Sequence, residues 1–152
     1  MIKIQNKHLR NVTEFLYNTV TAKGKKNVHR MRIVKALEKR NKEVSEERLT
    51  LIEEYCGIDE NGEPKRKENG DLDIDDVKGF NREYDALYDE YFIIDDKNLE
   101  PALKTVEKLV NNFDKELSGN DAEAHFVLIE AFEEAKEESA EDTTDENEEE
   151  EK

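Results

Sequence analysis

Between Asn27 and Cys56 the chain contains neither proline nor glycine, and no other stretch constrains the fold as strongly. Val28, Met31, Val34, Leu37, Val44, Leu51, Ile52 and Tyr55 recur there at spacings that gather apolar side chains on one side of a helix. Asn27 is a suitable N-cap and Gly57 a suitable stop. A helix of thirty residues is about 45 Å long, whereas a compact domain of this chain length has a radius of gyration of about 14 Å. Such a helix overhangs any compact core, so the expected molecule is elongated. The apolar stripe has a gap between Leu37 and Val44, and a coiled-coil seam would want an apolar residue near Asn41. The expectation is therefore cover by another helix of the same chain, and a particle that is monomeric or weakly homodimeric.

The flanking segments fit around this helix. "MIKI" and "YFII" alternate as short strands, expected at residues 2–4 and 92–94 and able to pair with each other. From Asn6 the pattern is helical through Leu9, Val12, Leu16 and Val20, and "KGKK" breaks it. Two Asn-Gly pairs in "DENGEPKRKENGD" predict a polar hairpin over 57–74, with Lys65–Lys67 facing Asp71–Asp75. Asp75 is the expected cap of a helix presenting Val77, Phe80, Tyr84, Leu87, Tyr88 and Tyr91 over the second half of the long helix. A further helix from Asn98 carries Leu99, Leu103, Val106, Val110, Phe113 and Leu117, with Pro101 in its first turn. "NDAE" at 120–123 then reads as a capping box for a last helix with Phe126, Ile129 and Phe132. The expected class is mainly α with a minor β element, antiparallel helices surrounding one long central helix over residues 1–136. Residues 137–152 lack any apolar period, and an acidic disordered tail is expected there.

Charge is distributed as unevenly as hydropathy. Residues 1–48 carry 13 Lys and Arg against 5 acids, residues 49–136 carry 10 against 25, and residues 137–152 carry one against 10. The basic excess concentrates in "AKGKKNVHRMRIVKALEKR", residues 22–40. Lys25, Lys26, Arg30, Arg32, Lys35, Lys39 and Arg40 are its candidate contacts for nucleic acid or a partner. In a chain of net charge −16, two explanations compete: a phosphate-binding patch, or ion pairing with the chain's own acidic half. Pairing within the fold is favoured, with weak nucleic-acid binding as the alternative. Tyr84, Tyr88 and Tyr91 form a second candidate, a protein interface, because tyrosine suits half-wet surfaces. The acids around them would repel a phosphate backbone.

No cofactor, metal or catalytic constellation is legible. The loop around Gly62 departs from a calcium loop, since Gly57 stands where the first ligand should be and Lys65, Arg66 and Lys67 fall inside it. His8, His29 and His125 sit on separate elements, and Cys56 is the one cysteine, so a zinc set is not assembled by spacing. "GKK" at 24–26 lacks the remainder of a P-loop. A single cysteine agrees with a reducing compartment, and "MIKIQNKHLR" has no signal-peptide core. No apolar run approaches the roughly 20 residues that cross a bilayer. A non-enzymatic cytoplasmic protein with no membrane association is expected.

Four segments, "IKIQNKHLRNVTEFLYN", "KNVHRMRIVKALEKR", "DENGEPKRKENGDLDIDDVKGF" and "LSGNDAEAHFVLIEAFEE", together resemble a family of short acidic proteins of unknown function. That family is encoded by tailed phages and prophages of Gram-positive bacteria. The resemblance covers most of residues 2–134 and leaves out the tail. It implies a phage-encoded, non-enzymatic protein of virion morphogenesis or a minor structural component, with a phage or host protein as partner. The implied location is the host bacterial cytoplasm, with virion association. An acidic DNA mimic directed at a host protein is a further alternative. The family supplies no active site to carry over.

Overall fold

The computed structural model describes residues 1–150, with side chains through 142. Strand β1 (Ile2–Gln5) leads through a 3-10 turn at Asn6–His8 into helix α1 (Leu9–Glu14), whose end widens into a π turn at Phe15–Thr19. The long helix α2 (Lys25–Cys56) follows, then α3 (Val77–Asp89), β2 (Tyr91–Ile94), α4 (Glu100–Asn111) and α5 (Gly119–Glu150). The strands pair antiparallel, with Ile2 opposite Ile94 and Gln5 opposite Tyr91.

The core lies at one end of α2. Ile33, Val34, Leu37 and Val44 of α2 meet Leu9, Val12, Phe15 and Leu16 of α1, Leu103, Val106 and Val110 of α4, and Leu128 and Phe132 of α5. Ile2, Ile4 and Ile94 close the base of this bundle. Phe15 sits at its centre, with its ring edge-on to Phe113 at 5.5 Å and to His125 at 5.9 Å. Alternation explains the strands: Ile2 and Ile4 face inward, and Lys3 and Gln5 do not.

Beyond Val44 no α2 residue is buried until Cys56. Leu51, Ile52 and Tyr55 are half-covered, and α3 is the helix packed along this half. The second half of α2 and α3 thus form an arm that leaves the main bundle. Its seam is an aromatic ladder: Tyr55 to Phe80 at 5.6 Å, Phe80 to Tyr84 at 5.7 Å, Tyr84 to Tyr88 at 4.8 Å between ring centres. The elongated shape, the long helix and its cover by α3 are as the apolar spacing predicts.

Several boundaries differ from expectation. The long helix starts at Lys25 after Gly24, which adopts a positive φ of 56°. Asn27 lies in the first turn, where its Oδ1 accepts from Arg30 at 2.6 Å and so does not cap. Asp76, not Asp75, caps α3 by accepting from the Gly79 amide at 3.0 Å. Val77 is exposed, and Tyr91 belongs to β2. Helix α4 stops at Asn111, short of the expected 117, because two poor helix formers, Asn111 and Asn112, end it. Phe113 and Leu117 still reach the core, from the connection. Asp121 accepts a hydrogen bond from the Thr19 hydroxyl at 2.9 Å, which ties α5 to the end of α1. The strands are each one residue longer than expected, at 2–5 and 91–94.

The polar hairpin is present as two bridges, Ile58 with Pro64 and Arg66 with Leu72. Lys67 faces Asp71, and Lys65 faces Asp73, through backbone hydrogen bonds of 2.8 and 3.0 Å. Gly62 and Gly70 supply the positive φ that these turns need. At the other end, α5 runs through residue 136 without a break, and Glu138 pairs with Lys3 at 3.1 Å. Residues 137–150, where a disordered tail is expected, continue helix α5, with side chains described through 142, and 151–152 lie outside the described residues.

Candidate functional site

The seven basic candidates divide by role. Arg30 turns inward: its guanidinium donates to the carbonyls of Leu16 at 2.6 Å and Tyr17 at 3.2 Å. These are carbonyls of the π turn that ends α1, where a helix leaves its last carbonyls without an internal partner. Arg40 is also structural. Its side chain is 15% exposed and lies against Glu43 at 3.4 Å, Glu47 at 3.3 Å and Glu90 at 3.6 Å, at the root of the arm. Lys35 is exposed and pairs with Glu38 at 3.3 Å. Lys25, Lys26, Arg32 and Lys39 are exposed and have no ion-pair partner among the described residues. Ion pairing within the fold therefore accounts for Arg40 and Lys35 and leaves four cations facing water.

Two of these four flank apolar surface. Val28, 48% exposed, joins Met31, Ala36 and Leu99 in a shallow depression of about 450 Å³ rimmed by Arg32 and Lys35. On the other side of the α2–α4 contact, Lys26, Lys108 and Lys115 border a depression of about 440 Å³ floored by Leu109 and Phe113. His29 bridges the two helices between them, with Nδ1 2.7 Å from the Thr105 hydroxyl. The first half of α2 thus presents a cationic face with apolar ground beneath it.

The arm is the opposite. Glu43, Glu46, Glu47, Glu54 and Glu83 border an open groove of about 510 Å³ between α2 and α3, floored by Leu51 and Leu87. Arg40 offsets charge at Glu43 and Glu47 and leaves a net negative rim. This groove was not foreseen from sequence. Glu43, Glu46, Glu47 and Glu54 recur at helical spacing, but Glu83 and Leu87 arrive from a helix some thirty residues further on.

The three candidate tyrosines are not brought together as one surface. Tyr84 and Tyr88 stack within the ladder of the arm and are half-buried, while Tyr91 is exposed on β2. Burial pushes the Tyr88 phenol above its usual range, Tyr84 adds to the shift, and Arg48 opposes it. These two rings stiffen the arm.

A clamp at its root had no sequence signal. Asn6 is 2% exposed; its Nδ2 donates to the Leu87 carbonyl at 2.8 Å and its backbone amide to the Glu90 carbonyl at 2.9 Å. Gln5 Nε2 donates to the Asp89 carbonyl at 3.0 Å, and Lys7 pairs with the Asp89 carboxylate at 3.3 Å. The N-terminal segment thereby holds the last turn of α3. Gly79 fixes the far end. A Cβ there would stand 2.8 Å from Asp76 Cγ, too close for the cap to remain in place, and 3.1 Å from the Tyr55 hydroxyl, which would have to give by a few tenths of an ångström.

Cys56 is buried under the hairpin, and desolvation, with Asp73 and Asp75, pushes its thiol up, away from the reactive thiolate. Asp59 spends its Oδ1 on the amides of Asn61 and Glu63, at 2.8 and 3.0 Å, and so shapes a turn. No cluster of three or more His, Cys, Asp or Glu suited to a metal occurs among the described residues. No described helix is long and apolar enough to cross a membrane. No protein-family profile, curated protein or solved structure matches the chain.

Proposed function

We propose that this chain is a non-enzymatic protein-interaction component encoded by a tailed phage, acting in virion morphogenesis or as a minor structural protein. The phage setting rests on the resemblance of its four sequence segments. The interaction role rests on one observation: α2 carries an arm outside the main bundle, stiffened by an aromatic ladder and grooved between helices. An arm of this kind adds surface and little core, which suits contact with another macromolecule. Its acidic rim favours a protein partner with basic side chains and disfavours nucleic acid. The partner is a phage or host protein, met in the host bacterial cytoplasm or carried into the virion.

The test places a photo-crosslinking residue at Leu49, which is exposed on the arm. Crosslinked adducts from infected cells are then compared with mass spectrometry of purified virions. One defined protein adduct at this position, absent when the crosslinker sits at Phe126 on α5, supports the reading. Adducts to nucleic acid, or none at any stage of infection, would overturn it.

The exposed cations Lys25, Lys26, Arg32 and Lys39 favour a second reading, a nucleic-acid-binding accessory role. It requires duplex binding that falls steeply with salt, each neutralised phosphate adding about 0.9 to the log–log slope. Tight binding at physiological salt that is lost in K25E/R32E would promote it over the first.

A further inference from the structure

The long helix carries two faces of opposite character. Near its start, Val28 and Met31 form apolar ground beside Arg32 and Lys35, and the exposed Lys39 follows one turn further along the helix. In its second half, Leu51 lies beside the exposed carboxylates Glu46 and Glu54. Both are regions of one continuous helix, about 17 residues or roughly 26 Å apart along its axis. A rigid helix cannot fold one region back onto the other, so within one molecule the two faces never meet. Between molecules they can. The spacing is comparable: Arg32 and Lys39 are seven residues apart and Glu46 and Glu54 eight, so the pairs span about 10.5 and 12 Å along their helices.

We infer that the second occupant of the acidic groove is another copy of this chain, which presents the basic start of its own α2, head to tail. Arg32 and Lys39 of one copy meet the carboxylate rim of the next, and Val28 and Met31 cover the floor of Leu51 and Leu87. The contact joins two different surfaces and is therefore heterologous; repetition leaves one free face of each kind at the ends and builds a ring or an open series. Copies of net charge −16 repel one another, so each contact is weak and assembly needs high local concentration. An elongated subunit with complementary ends is suited to forming a transient array, and this holds whichever outside partner the protein has.

Two charge reversals on the full-length protein test the inference. R32E/K39E replaces two cations of the first face by acids, and E46K/E54K leaves the groove with Glu43, Glu47 and Glu83 against two lysines, close to neutral, while the first face stays basic. All four residues are exposed, and circular dichroism checks that each variant folds. Sedimentation velocity at low salt reads the assembly state. Wild type should show a mass that rises with concentration, and each variant alone should associate about tenfold more weakly or less. An equimolar mixture of the two variants should recover association, because the intact basic face of E46K/E54K then meets the intact acidic groove of R32E/K39E. Three results would overturn the inference: wild type monomeric at every concentration, a dimer indifferent to both reversals, or a mixture that stays monomeric.

Discussion

Replacing Asn6 by aspartate changes one group at the root of the arm: the NH2 that donates to the Leu87 carbonyl becomes an oxygen facing it. The contact is 2.8 Å, the residue is 2% exposed, and Asn6 Oδ1 already has no partner among the described residues. Asn6→Ala loses the donor and leaves the Leu87 carbonyl short, a cost of about 1–3 kcal/mol, partly offset because the orphan Oδ1 goes with it. A net loss of about 1 kcal/mol is expected. Asn6→Asp keeps the shape and the orphan, and at neutral pH adds a buried anion against a carbonyl oxygen, so its cost is several kcal/mol. The introduced carboxyl has its pKa raised in the folded state. The deficit is therefore small below its unfolded value of about 4 and grows as pH rises from there. Urea unfolding followed by circular dichroism at both pH values gives the magnitudes. Amide exchange should place the loosening in Val77–Asp89 ahead of the main bundle. An N6D protein at neutral pH that matches wild type, or outlasts N6A, would refute the clamp.

Three further outcomes are expected. Burial, with Lys7, holds His8 below its ordinary pKa of 6.5 against the opposing pull of Glu123 and Glu130. The folded state thus prefers the neutral ring, and stability that is complete above pH 6.5 is lost as pH falls towards the lower folded value. His8→Gln should flatten that part of a stability–pH curve, and an unchanged slope would show the ring is not responsible. Cys56 should react with a disulfide reagent several-fold more slowly in the native protein than in urea; equal rates would mean that the hairpin does not cover it. Truncation after Lys136 removes Glu138 from its exposed pair with Lys3, a loss of about 0–1 kcal/mol. The thermal midpoint should fall by a few degrees at most, and a loss of helicity beyond the residues removed would show that the tail supports the bundle.

What the sequence by itself determined is the local part of the structure. Helical periodicity depends on neighbours three and four residues away, so α2, its overhang and the cover by α3 were readable from apolar spacing. The paired strands followed from alternation and the hairpin from two Asn-Gly turns, because their conformations are set within a few residues. Helix ends were less legible. Asp75 and Asp76 are equally good caps on paper, and the choice fell to Asp76 because its carboxylate reaches the Gly79 amide while Gly79 leaves room for Tyr55. Only the tertiary structure decided the roles of the charges. Arg30 and Arg32 are two residues apart and look alike in the sequence, yet one satisfies carbonyls of the π turn that ends α1 and the other faces water. Arg40 is drawn into the root of the arm by Glu43, Glu47 and Glu90, while its neighbour Lys39 remains outside. The acidic groove and the Asn6 clamp each join segments far apart in the chain. Their physics is Coulombic and hydrogen-bonded contact across that distance, on which a linear pattern leaves no mark.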